Sequence, residues 1–395
     1  MSSVVSKVKP LLDRVLVKRI VAATHSPGGV MLPESAQKHL NQGVVVSVGP
    51  GRFTNEGKRV EPSVKAGDTV LLPEYGGSTV TIDKEDLVLY RDEDLLGVIE
   101  NMKSNVEPII RAGFAEDFAD VGDVTTLATI PDTCVCHGTL LAKSPGVVAG
   151  FEPFQTVFDM LDKRVECRWN VEEGARVTAG TVVAHISGPA RAVLSGERLA
   201  LNLIQRMSGI ATKTRLMVDA IETTGSRTVL LDTRKTAPGL RALDKAAVVI
   251  GGGRNHRHGL YDAVLIKDNH IAVAGGIAAA FDRVQRYLKE TRRPMEIVIE
   301  AQTLAEVDEV LALDDGVTRI LLDNMIRIDN GVVNTTMLEA AIAHIGDRIP
   351  TEASGNITQA TVGAVARTGV DFISSGELTH SVVAMDLSLK IVIDQ

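Results

Sequence analysis

Aromatic side chains are scarce, at 3% of 395 residues, which excludes the stacked aromatic platforms that bind single-stranded nucleic acid. Basic charge is also short: the formal net charge is -8, the wrong sign for a general nucleic-acid binder, so any basic cluster is a local device for a specific anion. Cysteine occurs three times, as Cys134, Cys136 and Cys167. An odd count with C-x-C spacing fits neither a disulfide framework nor a common zinc pattern, and plain reduced thiols are expected. No apolar run approaches the ~18 residues of a membrane span, so no membrane partner is expected. The opening MSSVVSKVKPLLDRVLVKR lacks the apolar core and cleavage site of a signal peptide; it carries Ser, Lys and Arg with one acid, as an uncleaved mitochondrial address would.

What is present divides the chain. At 395 residues two or three domains are expected. Residues 8–99 hold short β runs at Arg14–Val21, Gly43–Val48, Thr69–Leu72, Thr79–Ile82 and Leu87–Tyr90, bounded by Gly, Pro, Asp or Asn, the pattern of a small all-β barrel. From Val106 the rhythm changes to helical patterns alternating with apolar strands at Val229–Leu231, Ala263–Ile266, Glu296–Ile299, Arg319–Leu322 and Phe372–Ser374, which implies a parallel sheet or an α/β barrel. Short strands with Gly turns over 138–190 read as a mixed α+β lobe, and Glu197–Ala220 as a connecting helix. The expected division is a β barrel over 1–100, a linker over 101–106, an α+β lobe with its helix over 107–224, and an incomplete α/β, TIM-like barrel over 225–395.

Chemistry-bearing residues follow the strands of the last part. LLDTRKTAPGLR brings Arg234 and Lys235; GGGRNHRHGLYDAVLIKDNH brings His256, Arg257 and Lys267; EIVIEAQTL and ILLDNM bring Glu300 and Asp323. Two small-residue turns, EASGNIT and ISSGELTHS, complete the set. Strand C-termini of an α/β barrel converge on one face whatever their separation in sequence. Five cationic or donor groups around one pocket are costly unless a multiply charged anion occupies it, and the arginine fork suits carboxylate and phosphate. Glu300 and Asp323 suit Mg2+, which takes few carboxylates plus phosphate oxygens. The turns offer backbone N–H groups for phosphate. Singly, each residue has a plainer role: an Arg or Lys on a solvated face, Gly251–Gly253 as a turn, Glu300 and Asp323 as helix caps. Joint occurrence at strand ends shifts the balance. His270 and His380 are left outside catalysis.

Two resemblances add to this reading. VKPLLDRVLVKR, SPGGVMLPESAQ, GVVVSVGPG and AGDTVLLPEYGGSTVTIDKEDLVLYRDEDLLGVIE resemble, in order, a GroES-like co-chaperonin of the mitochondrial type. That resemblance implies that Val21–Ala36 is a loop, made flexible by Gly28 and Gly29, whose Val30, Met31 and Leu32 dock on a chaperonin of the GroEL type, and that the barrels close as seven-subunit rings. The stretch from about Gly113 to Asp394, with EDFADVGDVTT, SPGVVAGFE, SGERLALNLIQRMSGIAT, DTRKTAPGLR, GGGRNHRHGL and KDNH, resembles the decarboxylating quinolinate phosphoribosyltransferases. It implies that Thr233, Arg234, Lys235, His256, Arg257 and Lys267 bind quinolinate and nearby phosphates, and that Arg198 reaches the neighbouring subunit's pocket in a homodimer or assembly of dimers. It further implies that Glu300 and Asp323 hold the magnesium and phosphoribosyl pyrophosphate, with Lys235 and Lys267 beside them in catalysis, and that Ser354, Gly355, Asn356, Ser374, Ser375 and Gly376 hold the 5′-phosphate. No organic cofactor is implied. Asn356 stands where Gly is frequent, and Ser375-Gly376-Glu377 where Val-Gly-Ala is commoner.

Three functions follow: an active enzyme with a co-chaperonin head, a co-chaperonin with a scaffolding appendage, or a related transferase of the group linked to molybdate transport. The full set of charged signature residues, Arg198 included, favours the first with quinolinate as substrate. The expected compartment is the mitochondrial matrix or the cytoplasm. Twofold and sevenfold symmetry conflict, since an odd ring leaves one subunit without a partner.

Overall fold

The structure is a computed structural model and describes residues 8–19, 42–53, 59–73, 76–82, 85–99, 102–313 and 315–393. Val30, Met31 and Leu32, with the rest of the expected docking loop, lie outside the described residues, as do two residues of the PEYGG string. The chain forms two compact units, residues 1–105 and 106–395.

The first unit is a six-stranded antiparallel sheet in the order Ser78–Ile82, Glu85–Arg91, Arg14–Arg19, Gln42–Val48, Thr69–Leu71 and Gly97–Ile99. Alternation places Val15, Val17, Val45, Val70, Leu72, Val88 and Tyr90 in one apolar cluster with Val64. Gly43 is required where the first two strands cross, because a Cβ there would run into Val17. The Tyr90 hydroxyl is tied off by Arg19 at 2.6 Å, so the buried ring keeps its polar tip satisfied.

Of the stretch 101–106 read from sequence as a linker, residues 102–106 are the first residues of a helix at Met102–Phe118 that buries Val106 and Ile110. The second unit begins with an α+β lobe. Its antiparallel sheet runs Glu166–Trp169, Val182–Pro189, Val135–Ala142 and Leu387–Ile393. The last of these, inside the span expected to be wholly α/β barrel, returns from the chain's end to pair with Val135–Ala142, Leu389 opposite Leu140. Cys134, Cys136 and Cys167 are free thiols. Burial, with the charge of Asp159, pushes the Cys167 thiol up to about 12, which leaves it inert as a nucleophile.

The connecting helix is longer than the sequence suggested, Ala190–Glu222. Buried residues at spacings of three and four (Val193, Gly196, Ala200, Leu203, Met207, Ile210, Thr214, Met217, Ile221) give it a continuous buried stripe. Gly196 and Gly209 sit where a side chain would strike Phe158 and the Val383 carbonyl. The helix ends at Thr223, and Gly225 (φ +75°) turns the chain away.

Six parallel strands follow in the order Val229–Leu231, Phe372–Ser374, Thr351–Ser354, Arg319–Asp323, Ile297–Ala301 and Val264–Ile266. Five were legible from sequence to within about two residues, as near-continuous apolar runs are when both faces are covered; the sixth, Thr351–Ser354, has the sequence TEAS and was read as the start of a small-residue turn. Strand order follows chain order except that the first strand lies beside the last. Because the strands are parallel, their C-terminal ends share one side.

Candidate active site

The strand ends open on a cavity of about 820 Å³. One rim is cationic: Thr233, Arg234 and Lys235 after the first strand, His256 and Arg257 from the following loop, and Lys267 after Ile266. The other carries Ser354, Gly355, Asn356 and Thr358 after one strand, and Ser374, Ser375 and Gly376 after another. Asp323 lies between them.

The cationic rim stands on buried ion pairs. Asp232 is fully buried and accepts from Lys245 Nζ at 2.5 Å and from the His256 N–H at 2.8 Å, while Lys245 Nζ also donates to the His256 carbonyl at 2.9 Å. Burial pushes the Asp232 carboxyl up and the Lys245 ammonium down, and their mutual attraction opposes both. Asp244, also fully buried, accepts a two-pronged bond from Arg206 of the long helix at 2.8 Å per prong and the Ala237 N–H at 3.2 Å. The loop carrying Arg234 and Lys235 is thus fastened to the helix. Arg257 is pushed below the ordinary guanidinium range by burial and then by the charge of Arg234. Arg234 Nε is buried without an acceptor. Two guanidiniums that repel each other, one with an orphaned donor, make a site short of negative charge.

Beneath both rims lies Glu352, 1% exposed. Its Oε2 takes Arg319 Nη1 at 2.7 Å and faces His256 Nε2 at 3.4 Å, while its Oε1 is buried without a hydrogen-bond partner. Burial raises this carboxyl, but His256 first, then Ser374 and Arg319 nearby, outweigh it and hold the group below the ordinary glutamate range. His256 Nδ1 accepts the Arg257 N–H at 2.7 Å, so the ring proton sits on Nε2, facing Glu352.

Glu300 is 4% exposed, with Gln302 Nε2 at 3.0 Å and Lys267 Nζ at 3.8 Å. Burial pushes its carboxyl up, the Gln302 bond pulls it down, and the charge of Asp323 raises it again. Two carboxylates that disfavour each other's charge suit a shared cation. Among the described residues no three His, Cys, Asp or Glu side chains cluster as a self-sufficient metal site.

Residues 210–390 match the family model for the quinolinate phosphoribosyl transferase C-terminal domain, residues 123–208 that for its N-terminal domain, and residues 7–99 that for the chaperonin 10 Kd subunit. A chloroplastic nicotinate-nucleotide pyrophosphorylase (carboxylating) of Arabidopsis thaliana is 48% identical over 292 residues, 73% of this chain and 83% of the relative. The mitochondrial quinolinate phosphoribosyltransferase (decarboxylating) 2a of Nicotiana tabacum is 44% identical, over 73% of this chain and 82% of its own length. Among solved structures, NadC of Streptococcus pyogenes superposes with a TM-score of 0.68 at 35% identity, covering 75% of this chain and 100% of that one. The chain belongs to the quinolinate phosphoribosyltransferase family. It carries in addition a chaperonin 10 region at its N-terminus.

Within this family member the structure brings Thr233, Arg234, Lys235, His256, Arg257, Lys267, Asp323, Ser354, Gly355, Asn356, Ser374, Ser375 and Gly376 to one cavity. Glu300 lies behind Lys267 and does not line it. Arg198 is exposed on the long helix and does not line its own chain's cavity. The Ser375 hydroxyl donates to the Ile357 carbonyl at 2.8 Å, so it braces one turn against the other. Gly355 (φ +86°) abuts Asn324, where a Cβ would clash, and Asn356 (φ +55°) is left-handed, a conformation asparagine tolerates better than most residues. Sequence reasoning missed Glu352, Asn324, Glu377 and His380, all of which line the cavity. Glu352 and Glu377 stand inside the two turn motifs already singled out. His380, in the same motif and on the same short helix as Glu377, was left outside catalysis from sequence, yet it lines the cavity.

Proposed function

We propose that the second unit transfers a phosphoribosyl group from phosphoribosyl pyrophosphate to quinolinate, yielding nicotinate mononucleotide, pyrophosphate and CO2. The single observation that carries the reading is the pair Arg234 and Arg257, whose like charges share one rim and leave Arg234 Nε without an acceptor. A pyridine dicarboxylate supplies two anionic forks for such a pair.

Arg234, Arg257 and Lys267 hold the quinolinate carboxylates and so aim the ring nitrogen at the anomeric carbon. The nitrogen lone pair forms the C–N bond as the C–O bond to pyrophosphate breaks, and the sugar passes through oxocarbenium character. Positioning and charge stabilisation carry most of the catalysis. Lys235 offsets charge on the leaving group. Glu300 and Asp323 would hold Mg2+, which supplies electrostatic neutralisation of the pyrophosphate. The turns at 354–356 and 374–376 receive the 5′-phosphate, with Gly355 and Asn356 shaping the backbone. Once the ring nitrogen is quaternary, the C2–carboxylate bond breaks, CO2 leaves, and the adjacent positive nitrogen stabilises the carbanion until it takes a proton from water. The substrate is its own electron sink, so no organic cofactor enters. Arg198, exposed and outside its own chain's cavity, serves the cavity of a second copy, which makes the working unit a homodimer or an assembly of dimers.

The first unit we read as a co-chaperonin of the mitochondrial type, with Val30, Met31 and Leu32 docking on a GroEL-type chaperonin; the family match over residues 7–99 supports this. An organelle is the compartment, in keeping with the chloroplastic and mitochondrial relatives. The deciding experiment incubates the purified full-length chain with quinolinate, phosphoribosyl pyrophosphate and magnesium and follows nicotinate mononucleotide and CO2. Product is expected; a folded chain that makes none is a co-chaperonin with a scaffolding appendage.

A further inference from the structure

Glu377 places a carboxylate on the lining of the active cavity beside Gly376, His380 and Ser381, at the end we read as the phosphate site. An acid there opposes a phosphate dianion unless its charge is matched. Both of its oxygens are engaged. Oε1 takes Lys213 Nζ at 3.0 Å, and Oε2 takes the Gln359 N–H at 3.0 Å. Lys213 Nζ also donates to the Ser381 carbonyl at 3.2 Å. Lys213 does not line the active cavity; with Gln359 it faces a separate hollow of about 260 Å³ on the other side of the pair. The side chains are 18% and 23% exposed, so solvent screens their charges less than it would on an open surface. Three segments meet in this contact: the long helix Ala190–Glu222, the turn after Thr351–Ser354 and the turn after Phe372–Ser374.

We propose that Lys213 is a positioning residue for the phosphorylated substrate: by pairing with Glu377 it cancels the charge of that acid and holds it off the incoming phosphate. The proposal rests on the reading of those turns as the phosphate site. It separates a charge role from a mere tether, because the two roles respond differently to a neutral isostere.

The test is steady-state kinetics of the full-length chain with phosphoribosyl pyrophosphate varied at saturating quinolinate. Lys213→Met should raise KM for phosphoribosyl pyrophosphate at least ~10-fold while kcat changes by less than ~3-fold. Lys213→Met with Glu377→Gln should bring KM back to within ~3-fold of the parent, although the ion pair is gone. Glu377→Gln alone should lower KM by at least ~2-fold, since the lining then loses its acid while the charge of Lys213 behind it is no longer cancelled. This last variant keeps the inference testable if Lys213→Met does not fold. A double variant as poor as Lys213→Met, or a KM that does not fall in Glu377→Gln, overturns it and leaves a tether. If the parent chain itself does not turn over phosphoribosyl pyrophosphate, the reading of the whole site fails instead.

Discussion

Two kinds of lining meet in the cavity: Arg234, Lys235, Arg257 and Lys267 present formal charges on long side chains, while residues 354–358 and 374–376 present hydroxyls, backbone and small side chains. The difference follows from what each rim needs underneath. Long cations require an anchored backbone, and the Asp232–Lys245 and Arg206–Asp244 pairs provide it from positions buried to 0% on the acid side. A small-residue rim requires unusual backbone angles, and Gly355 and Asn356 provide them at φ +86° and +55°. The first rim is therefore vulnerable to loss of charge, the second to loss of conformation. Glu352 lines the same cavity, with His256 Nε2 3.4 Å from its Oε2.

The sharpest way to break the charged rim is from below. Lys245→Met leaves Asp232 buried without its cation, and breaking a buried pair on one side costs about 3–5 kcal/mol. Chemical denaturation of the full chain should show that loss in the transition of the second unit, whereas a loss under ~1 kcal/mol would mean the pair does not hold the rim. From above, Arg257→Ala should cut kcat/KM at least ~100-fold, about 2.7 kcal/mol of transition-state stabilisation. Its guanidinium gives the structure one bond, Nη1 to the Ala263 carbonyl at 3.0 Å. The melting temperature should therefore fall by only about 2–4 °C, as expected for ~1 kcal/mol in a unit of this size. Near-normal turnover would remove Arg257 from substrate binding.

The same contrast explains what the sequence could say. Arg234, Lys235 and Lys267 follow apolar runs that read as strands, and Arg257 lies in the GGGRNHRHGL string just before one; parallel strands bring their ends together whatever lies between them. Arg234, Lys235, Arg257 and Lys267 could thus be placed on one face before any coordinates. Asp232 and Lys245 carried no such signal. One closes a strand and the other sits within the helix Arg241–Ile250, and nothing local to either says that it is buried. Glu352 lay inside a motif read for its small residues, and its tie to Arg319 depends on the register of neighbouring strands. LSLKIVI at Leu387–Ile393 has a strand's composition, yet pairing with Val135–Ala142 is a tertiary choice that local pattern does not encode. In the same way the polar stretch at 101–106 read as a linker, while its described residues belong to the helix Met102–Phe118, in which Val106 and Ile110 are buried.

The second rim should respond to backbone changes by amounts that track how far each residue is from its preferred conformation. Gly355→Ala adds a Cβ at φ +86° that meets the Asn324 backbone N at 2.9 Å and displaces the Asn324 side chain. It should cost about 1–3 kcal/mol and raise KM for phosphoribosyl pyrophosphate. Asn356→Gly is the milder counterpart, and it isolates conformation from chemistry. At φ +55° asparagine already occupies the left-handed region, so glycine relieves a small strain in the folded chain while gaining freedom in the unfolded one. These effects oppose each other, and the net stability change should stay within about 0.5 kcal/mol, with KM for phosphoribosyl pyrophosphate within ~2-fold of the parent. A larger rise in KM from Asn356→Gly would show that its side-chain amide contacts the phosphate. The second rim would then hold its anion with side chains as well as with backbone, and the distinction between the two rims would narrow to one of formal charge.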